Sequence, residues 1–104
     1  MPRHAFKMFL NTGCVDEYRK RHDAIWPELS RELSAAGILD YSIFLDRQTG
    51  NLFAVQKLAE DHTAAKLPQN EIVKKWWAYM KDIMETNPDN SPATVELTEV
   101  FHKD

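Results

Sequence analysis

The chain opens with residues 4–10, His-Ala-Phe-Lys-Met-Phe-Leu, a stretch rich in strand-favouring side chains that ends at the turn formers Asn11-Thr12-Gly13. From residue 14 to residue 36 the period changes. Val15, Tyr18, His22, Ile25, Trp26, Leu29 and Leu33 recur at three- and four-residue spacing, the mark of an amphipathic helix. Asp16 and Glu17 suit its positive end, and Gly37 stops it. Pro27 lacks an amide proton and its ring would clash with the carbonyl of Asp23. The helix is therefore expected to kink or restart between about residues 23 and 27, leaving His22 at the irregularity.

Residues 38–46 and 51–58 read as two strands, joined into a hairpin by Arg47-Gln48-Thr49-Gly50. A helical or irregular approach over 60–68 leads to a second long helix over about 69–84. Its apolar face is marked by Ile72, Val73, Trp76, Trp77, Met80, Ile83 and Met84. Asn87-Pro88-Asp89-Asn90-Ser91-Pro92 fixes a rigid loop, and residues 95–102 alternate as a last strand. The order βαββαβ predicts an α+β, ferredoxin-like subunit in which two helices cover one face of a four-stranded antiparallel sheet. On the second strand Tyr41, Ile43 and Leu45 point to one side and Phe44 to the other, so neither side is purely polar. Covering the remaining face with a second copy predicts a homodimer.

At 104 residues, 43% apolar and 28% charged, the chain has the makings of one soluble domain over residues 1–104, with no room for a separate catalytic module. No apolar run approaches membrane-spanning length, and Met1-Pro2-Arg3-His4 leads directly into a strand without a secretory pattern. The lone cysteine, Cys14, has no internal partner and fits a reducing compartment, so a cytoplasmic location is expected. A net charge of −3 with both signs interspersed argues against a nucleic-acid partner. The one basic cluster, Arg19-Lys20-Arg21, reads as a solvated helix face rather than a phosphate site.

The chain carries no HExxH, CxxC, GxSxG or glycine-rich phosphate loop, and His4, His62 and His102 show no ligand spacing. No metal site is expected. Tyr18, His22 and Trp26 instead follow one another at four-residue intervals and share one helix face. His22 reads either as a core histidine bonded to a nearby carbonyl or as a proton-handling group beside a second one, Tyr18. Trp76 and Trp77 project about 100° apart on their helix. One can line a pocket while the other flanks its rim or meets a partner subunit. Tyr41 should face a packed side, with a hydroxyl in need of a partner.

Glu17-Tyr18-Arg19-Lys20-Arg21-His22-Asp23, Ile25-Trp26-Pro27-Glu28-Leu29, Tyr41-Ser42-Ile43, Trp76-Trp77 and the loop Asn87-Pro88-Asp89-Asn90-Ser91-Pro92 together closely resemble the L-rhamnose mutarotase family, over essentially the whole chain. The resemblance implies a dimeric α+β barrel of ferredoxin-like subunits that interconverts α- and β-L-rhamnose without a cofactor. It implies that His22 is the acid/base residue and that Tyr18, Tyr41, Trp76 and Trp77 line the sugar site. Phe9 departs from it, standing where a polar residue is expected on the first strand, at what would be the pocket edge. Two other readings share the fold. One is a binding module or cofactor-free monooxygenase for an aromatic or lipid-like molecule, and the other is a dimerisation domain without activity. Polarity separates them, because a sugar site must meet several hydroxyls, for which the chain offers Tyr18, His22, Tyr41 and the loop from Asn87 to Asn90.

Overall fold

Pro27 breaks the first helical stretch in two. A computed structural model, which describes residues 2–104 and leaves Met1 outside, has a strand β1 (Arg3–Phe9), then helices α1 (Val15–Asp23) and α2 (Pro27–Ala35). The residue before a proline is pushed to extended backbone, and Trp26 at φ −62°, ψ 128° is so placed. Pro27 then opens α2 at its first turn, where the missing amide costs nothing. The restart expected between residues 23 and 27 is thus observed, with His22 in the last turn of α1.

Strands β2 (Ile38–Asp46) and β3 (Asn51–Leu58) form the expected hairpin, a 3₁₀ turn follows over Ala64–Gln69, and α3 (Glu71–Met80) and β4 (Val95–Leu97) complete the chain. The sheet has four strands in the order β2-β3-β1-β4, each antiparallel to its neighbour. That is the ferredoxin-like arrangement read from the sequence. In-phase residues Met8, Leu52 and Ala54 of the sheet pack with Leu29 of α2 and with Val73, Trp76 and Met80 of α3 in one buried cluster. Asn70 caps α3, its Oδ1 accepting from the amides of Ile72 (2.9 Å) and Val73 (3.2 Å), while its Nδ2 donates to Glu32 of α2 (3.0 Å). Among the described residues no helix is long and apolar enough to cross a membrane.

Two element ends differ from the sequence reading. The second long helix stops at Met80 rather than near residue 84, because the backbone beyond it pairs with the end of β1. Asn11 donates to the carbonyl of Ile83 (2.9 Å), Glu85 donates to that of Phe9 (2.9 Å), and Met84 bridges Leu10. Ile83 and Met84 still enter the core, but from an irregular segment. The last strand ends at Leu97 rather than residue 102. Its register puts Ala5 opposite Leu97, and the chain leaves the edge of β1 beyond that pair. Val100 and Phe101 are left 92% and 79% exposed.

The strand β2 also contains a bulge. Between Leu39 and Ser42 its register with β3 shifts, and Asp40 adopts a left-handed φ of 48°. The extra residue changes the phase of the strand, so that Ile38, Ile43 and Leu45 all pair with inward residues of β3 or its end. On the opposite sheet face Phe44, Val95 and Leu97 remain exposed, Phe44 by 62%. No helix covers them.

Gly37 and Gly13 have similar left-handed φ values, +84° and +81°, in different surroundings. A Cβ on Gly37 would lie 2.8 Å from His62 Cβ and 2.9 Å from its Cα, whereas one on Gly13 meets nothing within 4 Å. Both alanine variants should lose about 1–2 kcal/mol to the left-handed conformation. Gly37→Ala should lose about 1–3 kcal/mol more through the clash. Urea unfolding of the two variants checks this, and equal losses would contradict it.

Candidate active site

The space between the helices and the sheet is not filled along its whole length. A cavity of about 1100 Å³ opens there, reached by side chains from β1, α1, β2, β3, α3 and the loop before β4. That volume lies at the upper end of small-molecule sites, which run to about 1000 Å³. Tyr18, His22, Tyr41, Trp76 and Trp77 all line it, so the structure brings together every site residue expected from the sequence.

His22 is half-buried and held by two contacts. Its Nδ1 lies 3.0 Å from the carbonyl oxygen of Tyr18, one helical turn back. A carbonyl only accepts, so Nδ1 carries the proton, and in the neutral ring Nε2 is left with its lone pair. The imidazole stacks on the Tyr18 ring at 4.3 Å between centroids and meets the Trp76 indole edge-on at 5.4 Å. Both readings of His22 thus hold a part of the truth. Nδ1 is bonded like that of a core histidine, while the residue lines the cavity and Nε2 has no protein partner among the described residues.

Burial lowers the pKa of His22 below its ordinary value of 6.5, against smaller opposing effects of the Tyr18 carbonyl and Asp23. Burial raises Tyr18 well above the usual phenol range, and the neighbouring Tyr41 adds to the effect. Enclosure around its hydroxyl pushes Tyr41 up to about 12. At neutral pH the site therefore holds one unprotonated imidazole nitrogen and two phenols that keep their protons. No polar side-chain atom among the described residues is both sealed from solvent and unpaired. The phenol of Tyr18, which has no partner among these residues, therefore opens to the cavity.

Tyr41 corrects one expectation. It is 38% exposed, standing at the bulge with its ring edge-on to Phe6 at 6.5 Å, and borders the cavity rather than a packed side. The two indoles also differ from the expected division of wall and rim. Trp76 is buried against His22 and Trp26, Trp77 is half-buried, and both line the cavity. Phe9 lies out of phase with the cavity-lining His4, Phe6, Met8 and Leu10 and does not reach the pocket edge. Instead Lys7 Nζ sits 5.5 Å from its ring centroid on the other sheet face.

Arg21 is the larger correction, because it is no part of a solvated helix face. Its side chain is 10% exposed. The guanidinium donates to Glu17 (2.7 Å), to the carbonyl of Tyr79 (2.7 Å) and to both carboxylate oxygens of Asp82 (2.9 and 3.2 Å), and it lies over the Tyr79 ring. These bonds hold Asp82 below the usual carboxylate range. The sequence reading missed the sheet floor, His4, Phe6 and Gln56, whereas the loop it offered for polar contacts does line the cavity, through Asn87, Asn90 and the neighbouring Ser91. His4 and Gln56 were visible as polar residues in phase with apolar ones, Met8 on β1 and Leu52 and Ala54 on β3. Among the described residues no group of three or more His, Cys, Asp or Glu side chains could hold a metal ion.

The model of the family described as L-rhamnose mutarotase matches residues 3–103. The chain belongs to that family. It is 59% identical to the L-rhamnose mutarotase of Rhizobium johnstonii, over 98% of this chain and 96% of the relative. It is 57% identical to that of Phocaeicola vulgatus over 100% of both chains. The crystal structure of an L-rhamnose mutarotase from Formosa agariphila superposes with a TM-score of 0.93 at 51% identity, covering 100% of each chain. A dimeric ferredoxin-like protein from an uncultured marine organism, 17% identical with a TM-score of 0.55 over 97% of this chain and 96% of its own, shares the fold alone. Nothing in these likenesses supports the binding-module or monooxygenase reading.

Because burial favours the neutral imidazole, His22 contributes stability that is present above pH 6.5 and lost as the pH falls through its lowered folded value. NMR titration of the His22 ring should give a midpoint below 6.5. A midpoint above it would show that the charged form is favoured and contradict the burial account.

Proposed function

We propose that this chain, as one unit over residues 1–104, interconverts the α- and β-anomers of L-rhamnose, with His22 as the proton-exchanging group. The observation that carries the reading is the pairing of a carbonyl-fixed Nδ1 with an Nε2 that has no protein partner, in a ring lining a cavity walled by indoles and phenols. Mutarotation needs little else. The anomeric hydroxyl gives its proton to Nε2, the C1–ring oxygen bond breaks, and the ring oxygen takes up a proton, giving the open aldehyde. Rotation about C1–C2 and the reverse steps close the other anomer. The two oxygens are bonded to the same carbon, so one nitrogen within hydrogen-bond reach can serve both.

Tyr18, whose phenol keeps its proton, orients or relays that exchange from one helical turn away. Tyr41 meets a sugar hydroxyl. Trp76 and Trp77 offer apolar faces to the C–H side of the ring and to the C6 methyl group. No cofactor enters this scheme. A positioned acid/base contributes roughly 10² to 10⁴-fold, which suits a reaction that is already fairly easy in water.

The relatives' name supplies the sugar, and the polar residues of the cavity, Tyr18, His22, Tyr41, Gln56, Asn87, Asn90 and Ser91, favour a polyhydroxyl ligand over an aromatic one. The exposed apolar row of Phe44, Val95 and Leu97 on the helix-free sheet face supports a homodimer formed through that face. The unpaired thiol of Cys14 supports residence in the cytoplasm.

Saturation-transfer NMR on L-rhamnose tests the reading. The wild-type chain should speed exchange between the two anomeric signals, and His22→Ala and His22→Asn should lose about 10² to 10⁴-fold of that acceleration with unchanged melting cooperativity. Near wild-type exchange in either variant would remove His22 from the chemistry.

A further inference from the structure

Among the described residues, Gln56 is the one buried side chain that is neither apolar nor aromatic, at 6% exposure. It stands on β3 directly opposite His4 of β1, on the sheet face that floors the cavity, and both residues line that cavity. Its Nε2 lies 2.9 Å from His4 Nδ1, and His4 Nε2 lies 2.7 Å from a carboxylate oxygen of Glu96 on β4. The three side chains form a row across three neighbouring strands.

With His4 as the neutral imidazole, the chemistry of that row has one direction. An ionised carboxylate only accepts, so His4 Nε2 carries the proton given to Glu96. In the neutral ring Nδ1 must then accept, and Gln56 must spend its amide N–H on it. The carboxamide oxygen is thereby turned away from His4. It has no protein partner among the described residues, none of which carries an unpaired polar side-chain atom sealed from solvent. A buried amide oxygen without a protein donor is stable only if something in the cavity donates to it.

We infer that Gln56 is a further substrate-binding residue, whose carboxamide oxygen accepts a hydrogen bond from a sugar hydroxyl, with His4 and Glu96 as positioning residues that keep the oxygen facing the ligand. This deepens the mutarotase reading and rests on it for the identity of the sugar. Gln56 handles no proton of the reaction, so it acts on the ground state and the transition state alike. Glu96 acts only through the tautomer of His4. Losing its acceptor frees His4 to donate from Nδ1, which captures the amide oxygen and turns the NH₂ group to the cavity.

Anomer exchange measured by saturation transfer over a range of L-rhamnose concentrations, together with L-rhamnose affinity from NMR titration, tests the inference. Gln56→Leu should raise KM and Kd about 3- to 10-fold, the effect of one neutral hydrogen bond, with kcat within about twofold of wild type. Glu96→Ala should move KM in the same direction by about 2- to 3-fold, while Glu96→Gln, which still accepts from His4, should restore it. Unchanged KM and Kd in Gln56→Leu would overturn the assignment, as would a loss confined to kcat. Equal KM values in Glu96→Ala and Glu96→Gln would overturn the positioning role. A wild-type chain that bound L-rhamnose with this dependence on Gln56 but sped no exchange would sink the mutarotase reading and support the assignment.

Discussion

Helix α1 carries the imidazole on which the chemistry turns, yet its backbone does not pack closely along any other element. Side chains bridge the gap, Tyr18 by entering the buried core and Arg21 through its guanidinium. It ties Glu17 in its own helix to Asp82 and to the Tyr79 carbonyl at the end of α3, with its flat face on the Tyr79 ring. Bidentate, charge-assisted bonds of this kind fix orientation as well as distance. The rotation of α1 is thereby set, and with it the meeting of Tyr18, His22 and Trp76. The aromatic row continues through Trp26 to Tyr79, so clamp and wall share a residue.

Once α1 is held, the character of the site follows from elementary properties of its parts. A helix carbonyl one turn back takes the Nδ1 proton, burial keeps the ring neutral, and Nε2 is the nitrogen left for a ligand. Burial has the opposite sense for the phenols, which stay protonated as donors. Desolvation thus assigns complementary roles to neighbouring groups without any charged residue or metal being needed to set them apart. The sheet adds a polar floor, where Gln56 faces the same space as the indoles and phenols.

Much of this was legible in the sequence, for local reasons. Pro27 dictates a helix restart wherever it stands in a helical pattern, and the strands at 38–46 and 51–58 are bounded by a glycine turn that leaves little choice of register. The spacing of Tyr18, His22 and Trp26 placed them on one face, and the resemblance to a known family supplied their roles. What escaped is what depends on pairing with distant segments. The end of α3 was decided by competition from the backbone of β1. Tyr41 shares the inward face of β2 with Ile43 and Leu45, as its alternation implied, but meets the cavity where packed side chains were expected. Arg21 looked like one of a run of solvated cations because its partners, Tyr79 and Asp82, lie about sixty positions away.

The central claim is that His22 Nε2 addresses the anomeric centre of the sugar. A crystal structure of the chain with L-rhamnose bound tests it most directly. The account predicts Nε2 within hydrogen-bond reach, about 2.6–3.2 Å, of the C1 oxygen or the ring oxygen, with an indole against the ring. A sugar seated with C1 turned away from His22, or an Nε2 bonded to the protein instead, would contradict it.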